Sequence, residues 1–245
     1  MPATRRRFAA SLLAGSAAAS TLAALLPALA RAQPAAVATR SEERAVQGFD
    51  RVQWLLAGEL RIEQGAQERL VVEAEPAVLA RIVTEVQQRR LSIRFAPGRI
   101  ETKLPIRVHL VVAELKALEL NGAGDVALGA LRSNELRIVQ AGSSELRLER
   151  LDAALLDLEL RGSGNVRIDA GAVQTQRVTL RGSGDYAAPH LQSRNAEVSI
   201  DGSGDALVAV SETLNARIRG SGDIRYRGRP QVARQVSGAG EVVED

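Results

Sequence analysis

The sequence predicts an all-β solenoid, with short parallel strands wound into about seven stacked coils of 18–20 residues. Two observations predict it. A glycine corner recurs seven times, as Asn121-Gly-Ala-Gly-Asp125, Ala141-Gly-Ser-Ser-Glu145, Arg161-Gly-Ser-Gly-Asn165, Arg181-Gly-Ser-Gly-Asp185, Asp201-Gly-Ser-Gly-Asp205, Arg219-Gly-Ser-Gly-Asp223 and Ser237-Gly-Ala-Gly-Glu241. Their first glycines, Gly122, Gly142, Gly162, Gly182, Gly202, Gly220 and Gly238, are spaced by 20, 20, 20, 20, 18 and 18 residues. Each corner also lies between two alternating apolar runs, such as Leu156/Leu158/Leu160 before one and Val166/Ile168 after it. No unit of this size buries its own apolar face, whereas a stack makes one continuous core.

Residues 1–32 read as a bacterial export signal of the twin-arginine type. Thr4-Arg5-Arg6-Arg7-Phe8 opens it, an alanine- and leucine-rich stretch runs to Leu29, and Ala30-Arg31-Ala32 is a small-x-small cleavage site. Residues 33–45 are polar and without period, and are expected to be a flexible lead. Residues 46–120 are strand-like but not repetitive and are expected to cap the solenoid. Phe49, Val52, Trp54, Leu56, Leu60, Ile62, Leu70 and Val72 alternate in short runs broken at Ala57-Gly58-Glu59 and Gln64-Gly65-Ala66, which predicts a meander of hairpins. Pro76 suits a first helical turn, and Val78, Leu79, Ile82, Val83 and Val86 recur at helical spacing, which predicts a short helix over 76–86. Strands at Leu91–Phe95 and Ile106–Val112 lead into the repeats of 121–245.

Charge and composition narrow the partners. The signal holds Arg5, Arg6, Arg7 and Arg31 and no acidic residue, so its removal leaves 28 basic against 29 acidic groups. The excess charge of +3 therefore belongs to the signal. With one Trp, two Tyr and three Phe there is also no aromatic platform for single strands, and nucleic acid is excluded as a principal partner. There is no cysteine, hence no disulfide, thiolate metal site or lipidated cysteine. After the signal, no apolar run is long enough to span a bilayer as a helix.

The corner residues have a physical logic. Stacked coils lie about 4.8 Å apart, so a bulky corner would meet its neighbours. Gly122, Gly124, Gly142, Gly162, Gly164, Gly182, Gly184, Gly202, Gly204, Gly220, Gly222, Gly238 and Gly240 are read as structural. The position after each corner carries Asp125, Glu145, Asn165, Asp185, Asp205, Asp223 or Glu241, a polar ladder along one edge. Short polar side chains bonded to the corner backbone explain it. A calcium row would need six to eight oxygens per ion, from more corners per coil than this repeat supplies. Arg161, Arg181 and Arg219 are placed to flank the ladder.

The repeated Gly-Ser-Gly-Asp corners, the entry Phe49-Asp50-Arg51-Val52, the strand Leu70-Val-Val-Glu-Ala-Glu75 with the Pro76–Val86 segment, and Tyr226-Arg227-Gly228-Arg229-Pro230 resemble the head GIN domain family, also called putative auto-transporter adhesins. The resemblance covers roughly 46–245 and implies a right-handed parallel β-helix on an exported protein. Two departures stand out: Ser144 replaces a second glycine, and the last two repeats are two residues shorter.

No catalytic set emerges. Arg147 and Arg167 share a repeat position and so do Glu149 and Asp169, which places a basic row beside an acidic one, the pattern of a self-paired solvated face. Asp152 and Asp157 are further isolated acids, and His109 and His190 lie in separate regions, too few for zinc. The corners lack the third glycine and the following helix of a dinucleotide site. We therefore expect no cofactor, no metal and no enzyme, but a periplasmic or extracellular protein that binds envelope glycan, lipid or protein. Oligomeric state is left open. A carbohydrate-active β-helix enzyme and a small lipid- or ligand-binding envelope protein remain as alternatives.

Overall fold

The computed structural model describes residues 38–245; the segment 1–32 read as an export signal lies outside them. The strands in chain order are β1 (Arg40–Arg44), β2 (Arg51–Trp54), β3 (Glu59–Gln64), β4 (Arg69–Ala74), β5 (Ile82–Gln87), β6 (Arg90–Phe95), β7 (Arg107–Val112), β8 (Ala117–Leu120), β9 (Asp125–Gly142), β10 (Glu145–Gly162), β11 (Asn165–Ile168), β12 (Gly171–Gly182), β13 (Tyr186–Gly202), β14 (Ala206–Gly220), β15 (Ile224–Arg227), β16 (Gln231–Gly238) and β17 (Val242–Glu244). One helix, α1 (Pro76–Leu79), lies between β4 and β5. It is far too short to cross a membrane, and no described helix is long and apolar enough to do so.

From β8 onward every pairing is parallel, as the period requires. Leu156 pairs with Gln176 and Leu160 with Leu180, one repeat apart and in register. The alternating apolar residues all point inward. Leu136, Leu146, Leu156, Val166, Val178, Val198, Leu214 and Ile224 are fully buried in one continuous core.

The first coils do not follow chain order. β2 pairs in parallel with both β6 and β8, and β3 with both β7 and β9. The coil of β2 and β3 is thus sandwiched between that of β6 and β7, which comes later in sequence, and that of β8 and β9. The expected hairpin meander is corrected accordingly, and residues expected only to cap the solenoid supply two of its levels. The antiparallel pairs are β1–β4, β4–β7 and β5–β6, and they cover the N-terminal end.

Two further expectations are corrected here. The segment Arg40–Arg44, read as flexible lead, is a strand. It is held by backbone pairing to β4, by Arg69–Glu43 at 2.9 Å, and by Arg44 Nη2 donating to Leu79 O at 3.0 Å. The helix expected over 76–86 stops after one turn at Leu79, and Ile82–Gln87 is a strand. Ile82, Val83, Thr84 and Val86 are β-branched, which disfavours helix and suits a pleated edge. Gln88 and Arg89, at φ +49 and +63, close the β5–β6 hairpin with both turn residues left-handed.

Asp50 locks the inserted coil. Its carboxylate is 3% exposed and meets Arg89 at 3.1 Å and Lys116 at 3.3 Å. Its backbone N–H donates to Arg89 O, and its carbonyl accepts from Lys116 N. Burial works to raise its pKa, but Arg89 and Lys116 outweigh this and hold it below the ordinary range. Arg161 lowers Glu159 and Arg219 lowers Asp201 in the same direction. A depressed folded pKa gives stability that is complete above the unfolded value, about 4, and lost as pH falls through the folded value. We expect a flat melting temperature from neutral pH to about 5 and a steep loss below about 4. Asp50→Asn should cost about 1–3 kcal/mol at pH 7 and show a smaller gap to the parent at pH 3. An unchanged gap across that range, in melts followed by circular dichroism, would show that Asp50 acts through shape alone.

The change of repeat from 20 to 18 residues falls between β13 and β14. Pro189, His190 and Leu191 have no counterpart in β14, and the register slips between Ala188 and Gln192 and again between Ser193 and Asn195. A buried polar cluster fills this step. Gln176 Nε2 donates to Ser193 Oγ at 2.7 Å and to Ala209 O at 3.4 Å, and Ser193 Oγ donates to Ala209 O at 2.8 Å. Tyr186 Oη donates to Gln176 Oε1 at 3.1 Å, and burial pushes the phenol pKa far up, so it stays a donor.

Candidate functional site

The seven corners stack in one column. In the column from Gly142 upward the first glycine is left-handed, as at Gly182 with φ +131, and its carbonyl accepts from the next coil, Ser203 N to Gly182 O at 2.9 Å. The second glycine is needed for room: a Cβ on Gly184 would stand 2.0 Å from Gly164 O. Gly142, Gly162, Gly202 and Gly220 share the first role, Gly238 in the last coil shares the left-handed backbone, and Gly164, Gly204, Gly222 and Gly240 share the second role. Below Gly142 the column runs on through Gly122 to Leu56-Ala57-Gly58, a corner the repeat pattern does not reveal, where Ala57 bridges Ala123. There the second glycine is the left-handed one, Gly58 at φ +154 and Gly124 at +115. Ser144 sits where the corner changes form. It is fully buried, and its hydroxyl donates to Gly122 O at 3.1 Å, which accounts for a serine where other corners carry glycine.

The polar ladder is bonded along the axis. Asn165 Oδ1 accepts from Asp185 N at 3.0 Å, Asp185 Oδ1 from Asp205 N at 2.8 Å, Asp205 Oδ1 from Asp223 N at 2.8 Å, and Asp223 Oδ1 from Glu241 N at 2.9 Å. Each side chain reaches the same position one coil on, a span set by the coil spacing. At the lower end Glu145 N donates instead to Gly124 O, beside Asp125, and Asn165 Nδ2 donates to Glu145 Oε2 at 3.2 Å. Asn165 therefore both donates and accepts, which a carboxylate cannot do, and its neutrality relieves repulsion with Glu145. The arginines expected beside the ladder go elsewhere. Arg161 meets Glu159 at 2.8 Å, Arg181 also pairs with Glu159, and Arg219 pairs with Asp201.

Among the described residues no group of three or more His, Asp or Glu is placed to hold a metal ion. We expect melting curves in millimolar calcium and in excess chelator to superimpose, because the ladder oxygens from Asn165 to Asp223 already accept backbone N–H groups. A shift of many degrees between the two would make the ladder a cation site.

The outer faces are laced with opposite charges. Arg147 and Arg167, in register on adjacent coils, both pair with Asp169, at 2.6 and 2.7 Å; Glu149, expected to share the acidic row, makes no such pair among the described residues. Arg137 meets Asp157 at 2.7 Å, Arg177 meets Glu197 at 3.3 Å, and Asp152 is paired with Arg150. Burial would raise the Asp169 pKa, but Arg167 and Arg147 hold it down. His109 stands 3.4 Å from Glu63, half-exposed, and His190 lies in the slipped stretch of β13; the structure does not bring them together.

Two recesses lie on the N-terminal third. One, of about 400 Å³, runs across β3, β4, β7 and β9 and is lined by Arg61, Val71, Glu73, Arg107, His109 and Asp125 among others. The other, of about 220 Å³, is polar and lies between β2 and the β5–β6 hairpin, with Arg51, Gln53, Glu85, Gln87 and Arg90 in its wall. The sequence suggests a pocket only between the 76–86 segment and the sheet; the positions of both recesses depend on the insertion of β2 and β3 out of chain order. The smaller recess has a polar lining of amide, guanidinium and carboxylate groups, whereas the larger one sets Leu60, Val71, Val108 and Ala127 among its charges.

Among solved structures the chain is similar to a putative adhesin from Bacteroides fragilis, with a TM-score of 0.80 at 22% identity over 84% of this chain and 97% of that one. It is similar to a putative adhesin from Parabacteroides distasonis, with a TM-score of 0.69 at 22% identity over 84% and 97%. A putative lipid binding protein from Parabacteroides distasonis gives 0.64 at 23% identity over 85% and 97%. At these identities the likeness is one of fold. No curated protein matches the chain. The model of the family described as putative auto-transporter adhesin, head GIN domain, matches residues 48–230, and the chain belongs to that family.

Proposed function

We propose that this is a non-catalytic, exported solenoid that recognises a component of the cell envelope, as an adhesin or binding scaffold. The observation that carries this reading is the outer surface. Its arginines and carboxylates neutralise one another in adjacent rows, and the ladder residues from Asn165 to Asp223 accept backbone N–H groups. Polysaccharide hydrolysis needs two free carboxyl groups flanking a bond, one of them with a raised pKa. The carboxylates with shifted values here are all shifted down, by arginine, lysine or backbone donors. Family membership supports adhesion, and the Arg5-Arg6-Arg7 signal supports a periplasmic or extracellular location with a mature chain starting near Gln33.

The test is a binding screen of the purified protein against envelope glycans, envelope lipids and envelope extract. We expect saturable binding that leaves the ligand intact. Release of new reducing ends from a glycan would overturn the reading in favour of an enzyme.

A further inference from the structure

The outer face that carries β2 and β6 has one break in its charge pattern. Along one row of this face, in register from coil to coil, Arg137, Asp157, Arg177 and Glu197 alternate in sign. Below Arg137 the row continues through Ala117, Arg51 and Arg90. Arg51 thus has an uncharged neighbour on one side and a like charge on the other, an arrangement that costs stability. Arg90 has Glu119 at 3.4 Å. The Arg51 guanidinium makes no hydrogen bond among the described residues, and its carboxylate contact is Asp50 at 3.8 Å, which already serves Arg89 and Lys116. The two arginines wall the smaller recess, of about 220 Å³. The turn beside them breaks a second rule. Gln88 and Arg89 are the only non-glycine residues of the described chain at positive φ, in a kind of turn that favours Asn-Gly. Arg89 is used there by Asp50, but the exposed Gln88 amide, also in the wall of the recess, has no partner among the described residues. Unfavourable charge and unfavourable backbone meet at one place and are not offset within the chain, which is the mark of a site kept for a ligand.

The recess has an internal order that selects its ligand. Gln87, Arg90 and Arg51 form one cross-strand row, and Glu85, Ser92 and Gln53 form the next, about 7 Å along the strands. The first row presents two neighbouring guanidinium groups with amides beside them. A phosphate has oxygens for both guanidinium groups at once, whereas a planar carboxylate is matched by a single fork. The second row offers a carboxylate, a hydroxyl and an amide, which suits sugar hydroxyls. Its central residue, Ser92, is small and half-buried, so the hollow lies over it. Glu85 is engaged by Gln87 at 2.7 Å and Arg94 at 3.7 Å, on the side away from Arg51. The volume lies below the roughly 300–1,000 Å³ of sites for drug-sized ligands, which suits a single ring. We infer that this recess binds a phosphorylated sugar, its phosphate between Arg51 and Arg90 beside Gln88, and its hydroxyls over Ser92 against Glu85 and Gln53. The inference deepens the envelope reading and rests on it for where the ligand is met, as the phosphosugar headgroup of an envelope lipid or as a free sugar phosphate.

Titration calorimetry of the purified protein with glucose 1-phosphate tests this. We expect a Kd between about 10 µM and 1 mM, with glucose, inorganic phosphate and glucuronate each at least about tenfold weaker. Arg51→Gln should weaken glucose 1-phosphate at least about tenfold and leave the melting temperature unchanged, because its guanidinium holds nothing within the chain. Gln88→Gly should weaken it about tenfold while the melting temperature holds or rises, because glycine takes the left-handed turn without strain. A purely structural role for Gln88 would lower the melting temperature instead. No binding of glucose 1-phosphate, inorganic phosphate binding as tightly, or Arg51→Gln binding as the parent does would each overturn the proposal. Vesicles carrying lipid A and vesicles of phosphatidylglycerol separate the sources. Competition by lipid A alone assigns the lipid headgroup, competition by neither assigns the free sugar phosphate, and competition by phosphatidylglycerol overturns the demand for a sugar. Envelope binding by a protein that ignores glucose 1-phosphate would sink the recess and leave envelope recognition standing; glucose 1-phosphate binding without any envelope binding would do the reverse.

Discussion

Gly182→Val is expected to cost about 4 kcal/mol or more, through two separate terms. Gly182 has φ +131, where a side chain brings strain of about 1–3 kcal/mol. Its new Cβ would also stand 2.3 Å from Gly162 O and 3.1 Å from Gly162 C, both backbone atoms held in the coil below. Backbone cannot swing aside as a flexible side chain does, so the coil spacing must open locally, at a further cost of about 1–3 kcal/mol or more. Gly184→Val isolates the second term. Gly184 is not left-handed, but a Cβ there would meet Gly164 O at 2.0 Å and Leu160 Cδ2 at 2.8 Å. Ser183 lies between them, exposed, and Ser183→Ala should stay within about 0.5 kcal/mol of the parent. For a domain of this size 1 kcal/mol moves the melting temperature by about 2–4 °C, so Gly182→Val should melt at least about 8 °C low. Gly182→Val and Ser183→Ala melting together would refute the stacking account of the corner.

The part of the fold built from corners was legible because each Gly-Ser-Gly-Asp unit carries its own signal. Steric demand at the corner and inward alternation on either side repeat every 18–20 residues. The part that was not legible begins where that signal thins. Leu56-Ala57-Gly58 is a level of the same column, but with one glycine and no neighbour at the right spacing it reads as a hairpin break. Ile82, Val83 and Val86 fit a 3.6-residue period and a twisted edge strand equally well, and tertiary pairing to β6 decided for the strand. Arg40–Arg44 shows no alternation because both its faces meet water; backbone pairing and the polar contacts of Glu43 and Arg44 hold it, and neither leaves an apolar pattern. The insertion of β2 and β3 between later strands leaves no trace in a linear pattern.

The candidate site divides along the same line. The polar ladder was legible as a row, and backbone bonding was the expected role of its side chains. That each bond runs to the next coil rather than within its own corner depends on a spacing that only stacking sets. The two recesses, and the diversion of Arg161, Arg181 and Arg219 away from the ladder, depend on side-chain reach between coils.

The polar cluster at the step from 20 to 18 residues gives the second large effect. Gln176 has no exposure, and its amide satisfies a slipped register that backbone pairing leaves open. Gln176→Leu keeps much of the volume but strands the Tyr186 hydroxyl, which is 1% exposed and has its hydrogen bond to Gln176. We expect a loss of about 2–3 kcal/mol, mostly the cost of a buried donor without an acceptor. Tyr186→Phe strands Gln176 Oε1 in turn and should cost about 1–2 kcal/mol. The double variant removes both partners together, so its cost should fall short of the sum by about 1 kcal/mol or more. Ser193 keeps its bond to Ala209 O in every variant, which confines the coupling to the amide and the phenol. Denaturant unfolding of the four proteins closes the cycle. Costs additive to within about 0.5 kcal/mol would mean that Gln176 and Tyr186 act separately and that packing alone spans the step.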